Sequence, residues 1–144
     1  MTVGVGKIDQ KARELIEVTY QALLKGIAQV APGKYTGDIG FAIQNFVEKR
    51  GFSVVRELVG HGVGKKVHEE PDIPNYGKKG EGVKLRKGMV IAIEPMVNQG
   101  DWRIIIKDNG WTAVTADHSL SAHFEQTVAV TEKGYQILTP LFFP

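Results

Sequence analysis

With 144 residues, no cysteine and a formal net charge of +2, the chain has the length of one ordinary domain, no disulfide framework and too little charge bias to argue for a nucleic-acid partner. A hydrophobic fraction of 42% and a charged fraction of 24% describe a globular chain with one core and no disordered stretch. The longest apolar run falls far short of the roughly 20 residues of a membrane helix, and no charged segment leads into an apolar one at the N-terminus, so a cytoplasmic protein without a membrane partner is expected.

From about Asp9, a candidate N-cap, Ala12, Leu15, Ile16, Thr19, Leu23, Ile27 and Val30 recur at spacings of three and four until Pro32-Gly33. This predicts an amphipathic helix. A second follows Thr36, with Ile39, Ala42, Ile43, Phe46 and Val47 on one face and Gly51 placed to take the left-handed conformation that ends helices.

Beyond Gly51 the pattern becomes that of strands. Residues 52–59 ("FSVVRELV") and 89–97 ("MVIAIEPMV") each predict one, and 103–115 predict a hairpin turning at Asp108-Asn109-Gly110. Residues 121–131 ("SAHFEQTVAVT") and a short "YQIL" complete the set. Between His68 and Leu85 the proline, glycine and lysine content predicts an irregular loop. Its lysines are interleaved with Glu69, Glu70, Asp72 and Glu81, which makes a solvated segment of it rather than a nucleic-acid patch. No repeat or linker divides the chain, so residues 1–144 are expected to form a single α+β domain.

The stretch "GHGVGKKVHEEP", residues 60–71, invites three motif readings, and its spacing rejects each. A phosphate loop needs Gly-Lys followed by Ser or Thr at a helix start, and Gly64-Lys65 is followed by Lys66-Val67. A dinucleotide fingerprint needs G-x-G-x-x-G opening a helix, whereas Gly60, Gly62 and Gly64 alternate strictly and lead toward Pro71. The H-E-x-x-H zinc helix lacks its second histidine. What remains is His61 at a strand end between glycines, where a ligand could approach its ring, or where the ring is simply hydrogen-bonded in a turn.

Two strands carry a carboxylate in apolar surroundings. Alternation places Glu94 on one face with Val90 and Ala92, and Glu125 on one face with His123, Thr127 and Ala129. Both are expected to point inward, where an unpaired carboxylate costs several kcal/mol and needs a cation, a metal or a proton. Pairing with Arg56, Arg86 or Arg103 would satisfy either one alone. For His61, Glu94 and Glu125 together a metal accounts better, since without cysteine a site must use imidazole and carboxylate. His118 and His123 are weaker candidates that could be polar residues at strand ends.

These residues carry a resemblance. Gly60-His61-Gly62-Val63-Gly64, His68-Glu69-Glu70-Pro71, Ile93-Glu94-Pro95-Met96-Val97-Asn98, Trp111-Thr112 and the block from Ser119 to Thr127 are similar to the C-terminal part of type I methionine aminopeptidases. The first two motifs also occur in related proline-specific peptidases. The resemblance implies half of a pita-bread fold, a C-terminal half-repeat with two helices packed on a mainly antiparallel sheet. It further implies that His61 and Glu94 ligate one metal ion, that Glu125 bridges a pair, that His68 holds substrate beside the scissile bond and that Trp111 helps line the methionine pocket.

Val67 stands where such proteins often have an aromatic residue, and His123 where they often have glutamine. Thr2-Val3-Gly4-Val5-Gly6 matches a T-F-x-V-G segment that follows two aspartate metal ligands, which would therefore precede Met1. The complete site implied holds two divalent ions, of manganese, iron, cobalt or zinc, and these residues alone are expected to hold at most one and to turn over poorly or not at all. N-terminal methionyl peptides are the implied substrate. A complementary N-terminal half or a second copy of the chain is the implied partner, and a non-catalytic module of the same fold, binding a peptide or protein, is the alternative.

Overall fold

A computed structural model gives the structure of residues 1–140. Helix α1 (Gln10–Ile27) starts at its expected cap, where the Asp9 carboxylate accepts a hydrogen bond from the Ala12 N–H at 2.7 Å. Leu15, Val18, Ala22, Leu23 and Ile27 form its buried stripe. The helix stops before the Pro32-Gly33 step, and Val30 is buried from the loop beyond it. Helix α2 (Thr36–Glu48) buries Ile39, Ile43 and Val47, and Gly51 past its end takes φ 76°.

Helix α2 also has a second buried face, Thr36, Gly37 and Gly40, which apolar periodicity does not announce. The loop of residues 74–82 lies so close that a Cβ on Gly40 would run into the carbonyl oxygens of Tyr76 and Pro74. The Asp38 carboxylate binds both sides of this contact, accepting from Tyr35 N–H at 2.8 Å and Gly80 N–H at 3.0 Å.

The strands are β1 (Ser53–Val54), β2 (Gly60–Gly62), β3 (Glu69–Ile73), β4 (Val90–Ile93), β5 (Met96–Asn98), β6 (Ile104–Ile106), β7 (Ala113–Thr115), β8 (Ser121–His123), β9 (Gln126–Val130) and β10 (Tyr135–Ile137). They form an antiparallel five-stranded sheet in the order β10-β9-β4-β2-β3, a three-stranded sheet β1-β5-β8 and the hairpin β6-β7. Helix α1 packs against β8, β5 and β4, and α2 against β1 and β3. One apolar core joins them, with Ile91, Ile93, Phe124 and Val128 fully buried beneath the helices.

The hairpin over 103–115 forms as expected, turning through Gly110 at φ 78°. Three expectations are corrected. Residues 52–59 are not one strand: only Ser53–Val54 pair there, Val54 and Val55 are both buried, and the chain bends over 56–58 to enter the other sheet as β2. The segment after His68 is not wholly irregular, because β3 pairs with β2 as a sheet edge, where a proline such as Pro71 can be accommodated. The runs 89–97 and 121–131 are each broken into two strands that belong to different sheets.

Candidate metal centre

Those two breaks face each other and make the site. Strands β4 and β9 stay paired up to Ile93↔Gln126, and β5 and β8 resume at Met96↔His123. Between them the ladder is interrupted at Glu94-Pro95 on one side and Phe124-Glu125 on the other. Pro95 has no N–H to donate, and its carbonyl takes only a long 3.4 Å bond from Phe124 N–H. The Phe124 ring drops into the core beside Tyr20, at 5.4 Å between centroids, while Glu125 turns outward.

Register brings the third residue in. His61 lies opposite Ala92, and Ala92 opposite Thr127, so the three share one face of the sheet, which Glu94 and Glu125 continue past the ends of β4 and β9. Ligand atoms of His61, Glu94 and Glu125 all lie within 4.8 Å of one another.

The environment of the three is graded. His61 is buried, the Glu94 side chain is 16% exposed, and Glu125 is exposed. The expectation that both carboxylates point inward thus holds for Glu94 only. Buried as it is, His61 is oriented by its own neighbour: Nδ1–H donates to the Gly62 carbonyl at 2.9 Å. That bond leaves Nε2 facing Glu94 Oε1 at 3.6 Å, beyond hydrogen-bond distance. A cation fits between them. An imidazole and two carboxylates are a donor set that suits one divalent ion.

The glycines around His61 act differently from the expectation that they admit a ligand to its ring. A Cβ on Gly60 would strike the Ala92 carbonyl oxygen, and one on Gly62 the Glu70 carbonyl oxygen. They let β4 and β3 close on β2 from both sides. Exposed His68 stacks on His61, with ring centroids 4.1 Å apart and planes at 50°, and both border one surface groove with Val59 and Asp72. Trp111 stands 79% exposed at the turn of the β6-β7 hairpin, its backbone N–H donating to Asn109 Oδ1, so its ring faces solvent rather than a walled pocket. Val67 is likewise exposed.

His118 takes a left-handed turn at φ 61° between β7 and β8. His123 is another matter, because its Nε2 comes to 3.4 Å from Glu94 Oε2, the oxygen turned away from His61. Its place on one face with Glu125 was the available signal. Its backbone is held by Thr2, whose hydroxyl accepts from the His123 N–H at 2.9 Å and donates to the His123 carbonyl at 3.2 Å.

The profile of metallopeptidase family M24 matches residues 1–132. The methionine aminopeptidase of Clostridium perfringens is 53% identical over 138 residues, covering 96% of this chain and 55% of its own length. Methionine aminopeptidase B of Synechocystis is 52% identical, over 96% and 50%. The crystal structure of the Thermotoga maritima methionine aminopeptidase superposes with a TM-score of 0.91 at 54% identity, over 93% of this chain and 54% of that one. The prolidase of Pyrococcus furiosus, 25% identical, superposes at 0.74. The helices and antiparallel sheets are therefore those of the pita-bread fold, and the chain spans about half the length of the curated relatives it matches. On profile, identity and superposition together, the chain belongs to metallopeptidase family M24.

Proposed function

We propose that residues 1–144 form the C-terminal half-repeat of a divalent-metal-dependent aminopeptidase that removes N-terminal methionine from peptides in the cytoplasm. The observation that carries this is the convergence of His61, Glu94 and Glu125 within 4.8 Å, with the exposed His68 imidazole against His61. His61 and Glu94 would hold one ion. Exposed Glu125 is free to share a second. Manganese, iron, cobalt or zinc all suit this donor set.

When bound, the metal polarises the peptide carbonyl and stabilises the charge that develops on it. The protein's own part is orientation. His68, stacked on His61 and open to solvent, presents a ring nitrogen to the substrate next to the scissile bond, and Trp111 offers an apolar plate to the methionine side chain. Two carboxylates balance one divalent ion, so these residues by themselves hold at most one tightly. The second ion and full orientation of substrate come from two aspartates on a complementary N-terminal half, or from a second copy of the chain whose Glu94 and Glu125 restore four carboxylates.

Metal titration of the chain followed by a methionyl-peptide assay tests the reading. One tightly bound ion, turnover far below the roughly 1–10³ per second of ordinary enzymes, and recovery on adding the aspartate-bearing half are expected. Absence of any metal binding would remove the site, and full turnover by the chain alone would remove the half-site account. Binding of a peptide without cleavage, even with the other half present, would instead favour the non-catalytic module.

A further inference from the structure

The two oxygens of Glu94 face different histidines. Oε1 lies 3.6 Å from His61 Nε2 and Oε2 lies 3.4 Å from His123 Nε2. His61, Glu94 and Glu125 close into one group of ligand atoms, and His123 touches that group only at Glu94 Oε2, on its outer flank. Although the His123 side chain is 41% exposed, its Nε2 atom is shut off from solvent and has no hydrogen-bond partner. A polar nitrogen enclosed in this way calls for a partner. The two atoms are close enough but not aligned, and a small rotation of either side chain would aim an Nε2–H at Glu94 Oε2.

We infer that His123 is a positioning residue for Glu94: its Nε2–H holds Oε2 so that Oε1 alone is presented, beside His61, to the metal. The inference rests on the metal-site reading above. Two features of the fold fit it. His123 is the last residue of β8 and Glu94 follows β4, so both stand at the interruption of the ribbon, where backbone pairing no longer fixes side chains. The other side of His123 is pinned, because Thr2 takes both its backbone groups on the edge of the three-stranded sheet. The ring is thereby held against Glu94 from a clamped backbone. Metal-ligating carboxylates are commonly hydrogen-bonded in this way, and losing such a partner typically costs about 10–100-fold in metal affinity.

The test is zinc binding by calorimetry with competing chelator, on the wild-type chain, His123→Ala and His123→Gln. The alanine variant is expected to bind about 10–100-fold more weakly. Glutamine, whose amide N–H reaches the same oxygen, is expected to return most of that loss, which a merely structural role would not do. On the zinc-loaded wild type, nitrogen NMR should show His123 Nε2 protonated, a readout that requires no variant. Wild-type affinity in His123→Ala, no rescue by glutamine, or an unprotonated, zinc-coupled Nε2 each overturns the positioning role, the last by making His123 a direct ligand. A wild-type chain that binds no zinc takes down the underlying metal-site reading as well, and is distinguished by the failure of all three proteins alike.

Discussion

Glu94 and Glu125 differ in burial although both come from apolar runs, and the difference predicts how each behaves when neutralised. Glu94 lies between two imidazoles and is mostly enclosed, so Glu94→Gln should cost metal affinity more than the roughly 10–100-fold typical of an outer partner. In the proposed two-ion reading exposed Glu125 would share the second ion, so Glu125→Gln should leave the first binding event less changed and abolish the turnover recovered with the complementary half. Calorimetry on the two variants, paired with the peptide assay, separates these effects. A different carboxylate reports on acid. Asp117 accepts hydrogen bonds from Asp101 N–H at 2.7 Å and Ser119 N–H at 3.0 Å, and these, with the Ser119 hydroxyl, lower its pKa from 3.8 to about 2. Its folded pKa is depressed, so its contribution to stability is fully present above pH 3.8 and is lost as pH falls through about 2. A carbon NMR titration should find the midpoint near 2, and in Asp117→Asn the amides of Asp101 and Ser119 should lose their acid-dependent exchange in that window.

Among the elements, α2 carries the sharpest conflict between local preference and packing. Alanine at position 40 gains about 1 kcal/mol of helix propensity over glycine. Its Cβ, however, would meet carbonyl oxygens of the 74–82 loop, backbone that cannot rotate away, and overpacking of this kind typically costs about 1–3 kcal/mol. Gly40→Ala should therefore lower stability, by about 1–2 kcal/mol in urea denaturation, and a stabilised variant would show that the loop yields freely. The same helix marks the limit of what the sequence discloses. Its apolar face, the Asp9 cap of α1 and the Gly110 hairpin are local features, written in spacing and turn chemistry, and all three are where they were expected. The glycine face of α2, edge strand β3 and the bend after Val55 answer to neighbours distant in sequence, and no periodicity reveals them. Of the site, the convergence of His61, Glu94 and Glu125 was legible because a carboxylate in an apolar strand stands out. The exposure of Glu125 was not, and the place of His123 on one face with Glu125 pointed to the site but not to its contact with Glu94, since both depend on where two strands break together.

For the molecule as a whole, the candidate site reaches the surface through Glu125, and several large apolar side chains are exposed, Val5 at 85%, Trp111 at 79% and Val67 at 71%. If carboxylates of two copies share ions, as the second-copy arrangement requires, purified chain should sediment as a dimer that manganese strengthens. A monomer at micromolar concentration, with and without manganese, would rule out the second-copy arrangement and leave a complementary half as the partner. The paired interruptions of the ribbon have a mechanical corollary. The five-stranded and three-stranded sheets are joined there by two strand-to-strand crossings, and a carboxylate stands at each. Any change in the angle between the sheets alters the gap between Glu94 and Glu125, and an ion gripped by both resists that change. Loading the site should then slow amide exchange over 90–98 and 121–130 together, stiffening a joint that α1 already backs through its packing on β8, β5 and β4, so that a bound metal would act on the fold as a rivet as well as on any substrate.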